Sequence, residues 1–418
     1  MSTHKHIKSM ADLDFSNPRA CDLHLAVMAS KRIDIFRRII PITTRFPAHK
    51  DFKPTIDIPP RPCPSLGVLD RLPMDLHIAI FKRLNVPTIC AMRQVNSYAK
   101  SVVEIVPAFN NTRKYAPHAF KAILLTGACG IFTIQDLFNV LVAPGCHICG
   151  EFAAQLYLPS LSRVCTNCLE LSPEMETIKI FYAKDLFGLT NNQIKEMTSV
   201  VNGIAGWYHD YTAFSSVKST PTLVSRAMVE AAAIRFHGSR PNMESFVEKR
   251  KKNTESRRIH TKFEENGQTR QRVTVQFPLL YVKRGETADG LYCRGCQLKH
   301  IFPGYRNYAN TISGDGDGAW RIRDVAYDFA GWAAHIRVCQ AASDLWKKSE
   351  GSRKWWLNLK DEGRNWWEER ESERKDRTAH RTGKHRMDYP QETPEAFRYR
   401  TVAFLRHNMC MVSLASFR

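Results

Sequence analysis

The sequence lacks the features that would place it in several common classes of protein. No stretch approaches the roughly eighteen uninterrupted apolar residues of a membrane span, and no apolar signal-peptide core follows Met1. We find no phosphate-binding glycine loop, no Gly-x-Ser-x-Gly elbow and no His-Glu-x-x-His helix. Residues 314–318 alternate glycine with aspartate, but the glutamate of an EF-hand does not follow at its spacing. We therefore expect neither a membrane protein nor a member of these enzyme classes.

Cysteine is sparse for a secreted protein. The chain has 12 cysteines in 418 residues, whereas disulfide scaffolds reach roughly 8 to 10%. We expect reduced thiols in the cytoplasm and/or nucleus, where closely spaced cysteines bind metal more often than they form disulfides. Disulfides are the competing interpretation.

The hydrophobic content of 43% can bury a sizeable core, divided into two or three units.

Residues 66–105 have the spacing of short amphipathic helices. Pro73 suits the first turn of a helix, because its missing N–H would have no partner there and its φ is already helical. Apolar side chains then recur four residues apart on one helical face, at Leu76, Ile80 and Leu84. This spacing alone predicts only a small helical subdomain.

Two further short helices are predicted after the first. Asn85 can cap the second helix, with Pro87 in its first turn, and either Asn96 or Ser97 can cap the third. The expected apolar positions of both helices are Ile89, Met92, Tyr98, Val102 and Ile105. Three such helices share a core too small to be stable without neighbours or a partner.

The order of residues in this segment is more specific than its spacing. It contains a Leu-Pro pair, an acidic residue two positions on, then Leu, Ile-Phe, Leu, a Pro-Thr-Ile turn, Met-Arg and Val-Asn-Ser. This order resembles the F-box, with Tyr98 where the family often has tryptophan. The resemblance implies a non-catalytic subunit that recruits a protein substrate to a cullin-RING ubiquitin ligase by docking onto its Skp-family adaptor. The implied adaptor-facing or core positions are Leu72, Pro73, Leu76, Ile80, Leu84, Ile89, Met92 and Val95.

Four cysteines further along have the spacing of a zinc site. Two residues separate Cys146 from Cys149 and also Cys165 from Cys168, and fifteen residues separate the pairs. Two such pairs can complete a tetrahedral thiolate shell around one Zn²⁺, and a closed shell indicates a structural rather than a catalytic metal. His147 is interpreted as a bystander.

The residues around these cysteines fit a zinc ribbon. Gly145 and Gly150 flank the first pair and ease its turn. Between the pairs, residues 155–159 (Gln-Leu-Tyr-Leu-Pro) predict a strand that proline ends.

A second metal site is predicted from a less specific spacing. Cys293 and Cys296 form another closely spaced pair, and His335 and Cys339 lie one helical turn apart after a gap of thirty-eight residues. His300 could replace His335 as a ligand, and a buried histidine beside reduced core cysteines is the alternative. The remaining cysteines are interpreted as small hydrophobic residues, namely Cys21, Cys63, Cys90, Cys129 and Cys410.

A wider resemblance joins these motifs. Residues 118–127 and 132–137, the two cysteine groups and the Ala-Ala-Ser-Asp-Leu-Trp run over 341–346 look like a family of mostly uncharacterised fungal F-box proteins. The likeness covers residues 66–346 and says little about substrates. Independently of it, Thr133 and Asp136 fit a capping pair at the start of a helix.

The expected architecture is mainly α with small β elements. We predict a mobile leader over residues 1–64, a three-helix F-box over 65–110, a zinc-stapled α+β body over 111–345, and a basic, tryptophan-rich helix and tail over 346–418. Residues 221–237 read as a helix with Pro221 in its first turn, and residues 272–277 alternate like a strand approaching the third cysteine pair.

The net charge of +20 supports an alternative function, a zinc protein that binds nucleic acid through lysine and arginine. Around the first cysteine group, however, residues 131–200 have four basic and seven acidic side chains, a net charge of −3. The excess lies at residues 221–284, with fourteen basic against six acidic side chains. Lys249–Lys252 with Arg257 and Arg258 could be a nuclear import signal or an ordinary solvated run of charge.

The predicted C-terminal helix, from Asp344 to Arg377, has two tryptophan pairs about three turns apart, so both pairs face the same way. The tryptophans either pack on the preceding domain or form an exposed partner-binding face. They are Trp355, Trp356, Trp366 and Trp367.

Overall fold

The computed structural model describes residues 28–30, 39–40, 65–128, 130, 132–209, 214–217, 220–251, 269–301 and 322–348. The protein is mainly helical with small sheets, so the predicted fold class is confirmed. It divides into two compact units. The larger unit comprises residues 31–291 and 324–329, and the smaller unit comprises residues 1–30, 292–323 and 330–418.

Short helices and strands make up both units, and a 3₁₀ helix at Gly67–Arg71 precedes the first α-helix described. The helices are α1 Met74–Phe81, α2 Val86–Met92, α3 Ser97–Ile105, α4 Pro107–Tyr115, α5 Pro117–Thr126, α6 Ile134–Val142, α7 Thr166–Leu171, α8 Ile180–Phe187, α9 Asn191–Met197, α10 Arg226–His237, α11 Arg240–Lys251, α12 Arg294–Ile301, α13 Phe329–Val338 and α14 Gln340–Lys348. The strands are β1 Ala29–Ser30, β2 Gln155–Tyr157, β3 Ser162–Val164, β4 Thr177–Lys179, β5 Val200–Asn202, β6 Gly206–His209, β7 Phe214–Val217, β8 Thr222–Ser225, β9 Thr274–Gln276, β10 Leu279–Tyr281, β11 Glu286–Ala288 and β12 Tyr292–Cys293.

Side-chain caps begin three of these helices where the sequence predicts them. The Asn85 side chain accepts the Thr88 N–H at 2.9 Å at the start of α2, and Asn96 rather than Ser97 caps α3. At α6, Thr133 and Asp136 form a reciprocal capping box. Each cap gives a partner to an N–H group that the helix itself leaves without one.

Two details of the first helices differ from expectation. Pro73 lies at the N-cap of α1 rather than inside its first turn, because its ψ of 153° is extended while its carbonyl already accepts the Leu76 N–H at 3.0 Å. Ile105 is not a core position but is 52% exposed. The buried stripe of α3 follows the helical register through Val102 and Val103 instead, which turns Ile105 away from the core.

The sheets of the larger unit are small and antiparallel. Strand β2 lies between β3 and β9, strand β8 lies between β4 and β5, and two hairpins are formed by β6 with β7 and by β10 with β11. The strand predicted over residues 272–277 is present as β9, but it pairs with β2, placing Val275 opposite Leu156. It therefore belongs to the sheet beside the first cysteine group rather than to the second.

The helix predicted over residues 221–237 is shorter in the structure. Residues Thr222–Ser225 form strand β8, and α10 begins only at Arg226, with the Ser225 side chain as its N-cap. Strand β8 pairs on both sides, with β4 and with β5. These long-range pairings outweigh the weak helical preference that Pro221 and the alanine-rich stretch suggest.

One hydrophobic core runs from the predicted F-box into the predicted body. Side chains as distant in the sequence as Phe81 and Leu280 are buried in the same cluster. The division predicted between residues 110 and 111 therefore does not coincide with the compact units. The shared core also gives the three short helices the neighbours that they need for stability.

Part of the predicted mobile leader is packed into the protein. Ile39 and Ile40 are each 1% exposed in the core of the larger unit, and the Ile40 N–H donates to the Thr274 carbonyl at 2.9 Å. In the smaller unit, β1 pairs with β12, with Ala29 opposite Cys293. The described parts of residues 1–64 thus supply core side chains and a strand, which contradicts a wholly mobile leader.

The smaller unit contains β1, β12, α12, α14 and most of α13. Helices α12 and α14 approach closely at Gly295, where a Cβ atom would lie 2.4 Å from the backbone nitrogen of Ala342. Trp332 of α13 and Ala342 of α14 are both fully buried. This packing brings α12 and α14 together, although about forty residues separate them in the sequence.

Several predictions concern residues that lie outside the described part of the chain. They are the tryptophan-bearing helix beyond Lys348, the basic residues from Lys252 to Arg258, and the glycine-aspartate run over residues 314–318. Among the helices that the structure describes, none combines the length and the apolar character needed to cross a bilayer.

Candidate functional site

Helix α1 has an inner and an outer apolar face. His77 and Phe81 point inward and are each 1% exposed, whereas Leu76 and Ile80 are 48% and 39% exposed. The buried His77 ring is hydrogen-bonded through Nε2 to the Leu69 carbonyl at 2.7 Å, which ties α1 to the preceding 3₁₀ helix. Leu76 and Ile80 therefore lie on the outer face of α1 and do not belong to the buried core.

The structure sorts the other predicted F-box positions between the core and the surface. Ile89 is fully buried, and Leu84 and Met92 are half-buried against the core. Val95 is 61% exposed, Pro73 is exposed and Leu72 is half-buried. The sequence prediction omitted two more exposed apolar side chains, Val68 at 80% and Met74 at 39%. No periodic signal could have identified Val68, since it lies in a short 3₁₀ turn before α1.

We use the name F-box face for five exposed apolar side chains of this segment; Ile105, at the end of α3, is exposed as well but is not counted among them. The five side chains come from the 3₁₀ helix, from α1 and from the turn after α2, and they are Val68, Met74, Leu76, Ile80 and Val95. Leaving several large apolar side chains in water is unfavourable, and groups of them mark surfaces that bind another macromolecule.

The first cysteine group comes together as predicted. The sulfur atoms of all four residues, Cys146, Cys149, Cys165 and Cys168, lie within 4.8 Å of one another. Cys149 and Cys165 are 3.8 Å apart, which matches the separation of about 3.8 Å expected for two sulfurs each about 2.3 Å from a tetrahedral Zn²⁺. The His147 side chain is not part of the group, as expected for a bystander.

The backbone around each pair positions these sulfurs. Gly150 has a φ of 76°, and its N–H donates to the Cys146 carbonyl at 2.9 Å to close the first turn. A Cβ at Gly145 would lie 2.9 Å from the Gly150 carbonyl, so both glycines are needed for this turn. Hairpin β2–β3 joins the two pairs, and the Cys165 sulfur accepts the Cys168 N–H at 3.4 Å at the start of α7.

The electrostatics of this group favour a bound cation. A hydrogen bond from Cys165 lowers the pKa of Cys146 to about 4, and the same interaction raises the pKa of Cys165 above its usual range. Burial, together with the neighbouring sulfurs, raises the pKa of Cys168 to about 12. The group therefore favours a thiolate at Cys146 and disfavours ionisation of Cys165 and Cys168, and a bound cation would offset the repulsion between the sulfurs.

The second group comes together in the smaller unit. The Cys296 sulfur lies 3.4 Å from Nε2 of His335 and 3.4 Å from the sulfur of Cys339, and Cys293 lies 3.9 Å from Cys339. All four ligand atoms lie within 4.8 Å of one another. His335, near the end of α13, and Cys339, just before α14, thus lie next to Cys293 and Cys296, which come about forty residues earlier in the sequence. The His300 side chain lies outside the described residues.

The ligand atoms of the second group also shift one another's pKa values. Hydrogen bonds with Cys293 and Cys296 lower the pKa of Cys339 well below its usual range, whereas hydrogen bonds with Cys296 and Cys339 raise the pKa of Cys293. The neighbouring Cys296 sulfur raises the pKa of His335 to about 9. Three cysteine sulfurs and one histidine nitrogen are a closed ligand set of the kind that would hold a structural metal ion once the metal displaced their protons.

Sequence reasoning missed a buried arginine beside the first cysteine group. Arg163 of β3 is 2% exposed, and its guanidinium lies 4.8 Å from the centre of the Phe277 ring. Its N–H groups donate to carbonyl oxygens at 2.7 to 3.2 Å, those of Val140, Leu141, Ala153, Phe277 and Pro278. Burial lowers the pKa of Arg163 to about 9, so the side chain still carries its charge at neutral pH.

Comparison with known families identifies the N-terminal segment. Residues 69–110 match the family model of the F-box domain, so the chain contains an F-box domain, as its residue order predicts. F-box domains bind the Skp-family adaptor of Skp-cullin-F-box ubiquitin ligases, and the proteins that carry them are in general the substrate-recognition subunits, typically without catalysis of their own.

No curated protein and no solved structure matches the chain. The F-box match ends before the first cysteine of the metal-ligand groups. The wider resemblance through residue 346, including its fungal family, therefore stays a prediction.

Proposed function

We propose that this protein recruits a protein substrate to a Skp-cullin-F-box ubiquitin ligase and that its two Cys/His groups each hold a structural Zn²⁺. The F-box face carries this proposal. Its apolar side chains are exposed while the helices beneath them are packed into the core of the larger unit. An apolar face carried by helices that are already folded can bind an adaptor without first having to fold, which lowers the entropic cost of association.

The two metal groups have a supporting role in this proposal. In each, four protein ligands close the shell, so the metal would hold sequence-distant segments together rather than activate water. The first group secures hairpin β2–β3 beside the sheet that β9 completes, and the second secures β12 to the end of α13. The body of the protein would then present the substrate on a stable frame.

A co-purification experiment tests the adaptor interaction. We expect the Skp-family adaptor to co-purify stoichiometrically with the wild-type chain at moderate salt, which suppresses nonspecific capture by basic surfaces. Leu76→Asp combined with Ile80→Asp should abolish the interaction, because both carboxylates would be buried without partners in the interface. Both side chains are half-exposed in the free protein, so the fold should survive.

Val282→Asp provides a matched control, since Val282 is 56% exposed in the same unit but lies outside the F-box domain. Its adaptor binding should equal that of the wild type. Capture that survives the double substitution, or that fails even with the wild type, would contradict the proposal. The second outcome would favour the alternative of a nucleic-acid-binding zinc protein.

A further inference from the structure

Cys149 is the exposed member of the first cysteine group. It lies in the turn that the Gly150 N–H closes onto the Cys146 carbonyl, and the adjacent Gly150 and Glu151 are exposed as well. Among the eight cysteines that the structure describes, Cys149 alone is exposed, whereas Cys146 is 4% exposed. A small molecule can therefore reach the Cys149 sulfur without any opening of the fold.

A second sulfur lies beside Cys149. The hairpin β2–β3 brings the half-buried Cys165 to within 3.8 Å of Cys149, measured between the sulfur atoms. Bound Zn²⁺ would keep both sulfurs as thiolates, which is the nucleophilic form of cysteine. An accessible thiolate next to a second cysteine is the arrangement found in redox-sensitive cysteine pairs.

The second group has no exposed sulfur. Cys293 is 2% exposed, Cys296 is 4% exposed and Cys339 is half-buried. Its fourth ligand is the imidazole of His335, so fewer thiolates would surround its metal than in the first group. The two groups therefore differ in the access that they give to an oxidant, and the second group serves as a control within the same chain.

We propose that Cys149 is a site of oxidative modification by a hydroperoxide such as hydrogen peroxide, which joins Cys149 to Cys165 and releases the metal of the first group. The proposal rests on the proposed function, because it takes Zn²⁺ to be bound at this group. The Cys149 thiolate attacks one peroxide oxygen, the O–O bond breaks and hydroxide leaves, so that the sulfur becomes a sulfenic acid. The Cys165 thiolate then attacks the Cys149 sulfur and expels a second hydroxide. The two sulfurs together lose the two electrons that reduce the peroxide.

Formation of this disulfide would remove two of the four metal ligands. Loss of the metal should destabilise the larger unit, because the first group belongs to it. The F-box domain shares the hydrophobic core of that unit. A hydroperoxide would therefore reduce adaptor binding, and reduction of the disulfide in the presence of Zn²⁺ would restore it.

Zinc release from the purified full-length chain, followed with a colorimetric chelator during treatment with hydrogen peroxide, tests the proposal. We expect the wild type to release its first equivalent roughly tenfold faster than its second, because only the first group has an exposed thiolate. Cys339→Ser, which should lack the second metal, should show the fast release alone.

Mass spectrometry identifies the bond that forms. Trypsin cuts after Lys121, Arg163 and Lys179, so the disulfide should join the peptides 122–163 and 164–179 once free thiols have been alkylated. Thermal unfolding of the treated chain should show a lower melting temperature, and treatment with a phosphine reductant and Zn²⁺ should reverse the change.

Two histidine variants separate the exposure of Cys149 from the chemistry of the ligand set. Cys149→His keeps four ligands but removes the exposed thiolate, so the fast release should slow roughly tenfold and the linked peptides should be absent. Cys168→His makes the same exchange at a half-buried ligand and keeps both Cys149 and Cys165, so it should release zinc like the wild type. Zinc content before treatment shows whether each variant holds its metal, and the comparison of the wild type with Cys339→Ser does not depend on them.

The assignment is wrong if both equivalents leave the wild type at the same rate, if peroxide releases neither, or if Cys149→His loses zinc as fast as Cys168→His. Zinc content and adaptor capture before treatment separate this inference from the function on which it rests. A chain that holds both metals and binds the adaptor but resists peroxide contradicts only the oxidation site. A chain purified without zinc contradicts the proposed metal site itself.

Discussion

Arg163 shows how one side chain can join segments that are far apart in the sequence. Its guanidinium bridges the end of α6, the residue Ala153 just before β2 and the residues after β9, up to 115 positions away. The carbonyls at the end of α6 carry the negative pole of the helix dipole, which favours the buried positive charge. No local pattern distinguishes this arginine from a solvated one, so only the folded chain shows its role.

We expect Arg163→Met to lower the free energy of unfolding by about 3 kcal/mol or more, since removing one partner of a buried charged network leaves the other groups unsatisfied. Arg163→Lys should recover only part of this loss, because an ammonium group has fewer donors than a guanidinium. Denaturant unfolding would measure both changes.

Arg235→Met is the matched control, since Arg235 is exposed on α10, and it should change stability by less than about 0.5 kcal/mol. An Arg163→Met variant as stable as this control would show that the carbonyl contacts contribute little.

The helices of the F-box domain could be predicted because their start signals are local. An asparagine, the proline two residues later and the apolar spacing all lie within one or two turns, as in α2. Strand β8 could not be predicted in this way. Its residues adopt extended structure because β4 and β5, which come earlier in the chain, pair with both of its edges.

Loss of a single cap should have a measurable effect on the F-box domain. The Asn96 side chain accepts the Ala99 N–H at 2.7 Å and donates to the Ser65 carbonyl at 2.8 Å. We expect Asn96→Ala to destabilise the protein by about 1 kcal/mol, the usual contribution of a helix cap. Thermal unfolding would report it as a lower melting temperature.

Asn110→Ala changes the same residue type at an exposed position inside α4. It should be neutral or slightly stabilising, because alanine is the better helix former there. Equal melting temperatures for the two variants would mean that the Asn96 cap does not contribute.

The two metal-ligand groups lie in different compact units. The leader contributes to both units, since β1 pairs with the strand that contains Cys293, and Ile39 and Ile40 pack into the larger core. Neither group draws a ligand from the other unit. Loss of one metal should therefore affect its own unit first.

We expect Cys146→Ser and Cys339→Ser each to remove one equivalent of zinc, and the double variant to remove both. Structural zinc supplies about 10 kcal/mol or more of apparent folding free energy, so chelation should unfold the unit that loses its metal. Metal content by mass spectrometry, followed by thermal unfolding, would measure both effects.

Cys90→Ala is the control for these variants. Cys90 belongs to neither group, and burial raises the pKa of its thiol to about 11, as expected for an inert cysteine. The Cys90→Ala variant should retain both equivalents of zinc. Zinc content unchanged in Cys146→Ser would remove the first site from the proposal, and the same result in Cys339→Ser would remove the second.

The amino-acid order alone was enough to identify the F-box segment, the Asn85 cap and the members of the two Cys/His groups, because each depends on spacing within a few residues or on chemically distinctive side chains. Tertiary structure decided which apolar residues face outward, since Leu76 and Ile80 satisfy the same periodicity as buried residues. It also decided the partners of β8 and β9, the burial of Arg163 and the packing of Ile39 and Ile40. These depend on contacts between distant segments, and local sequence carries no information about which distant segment will be near.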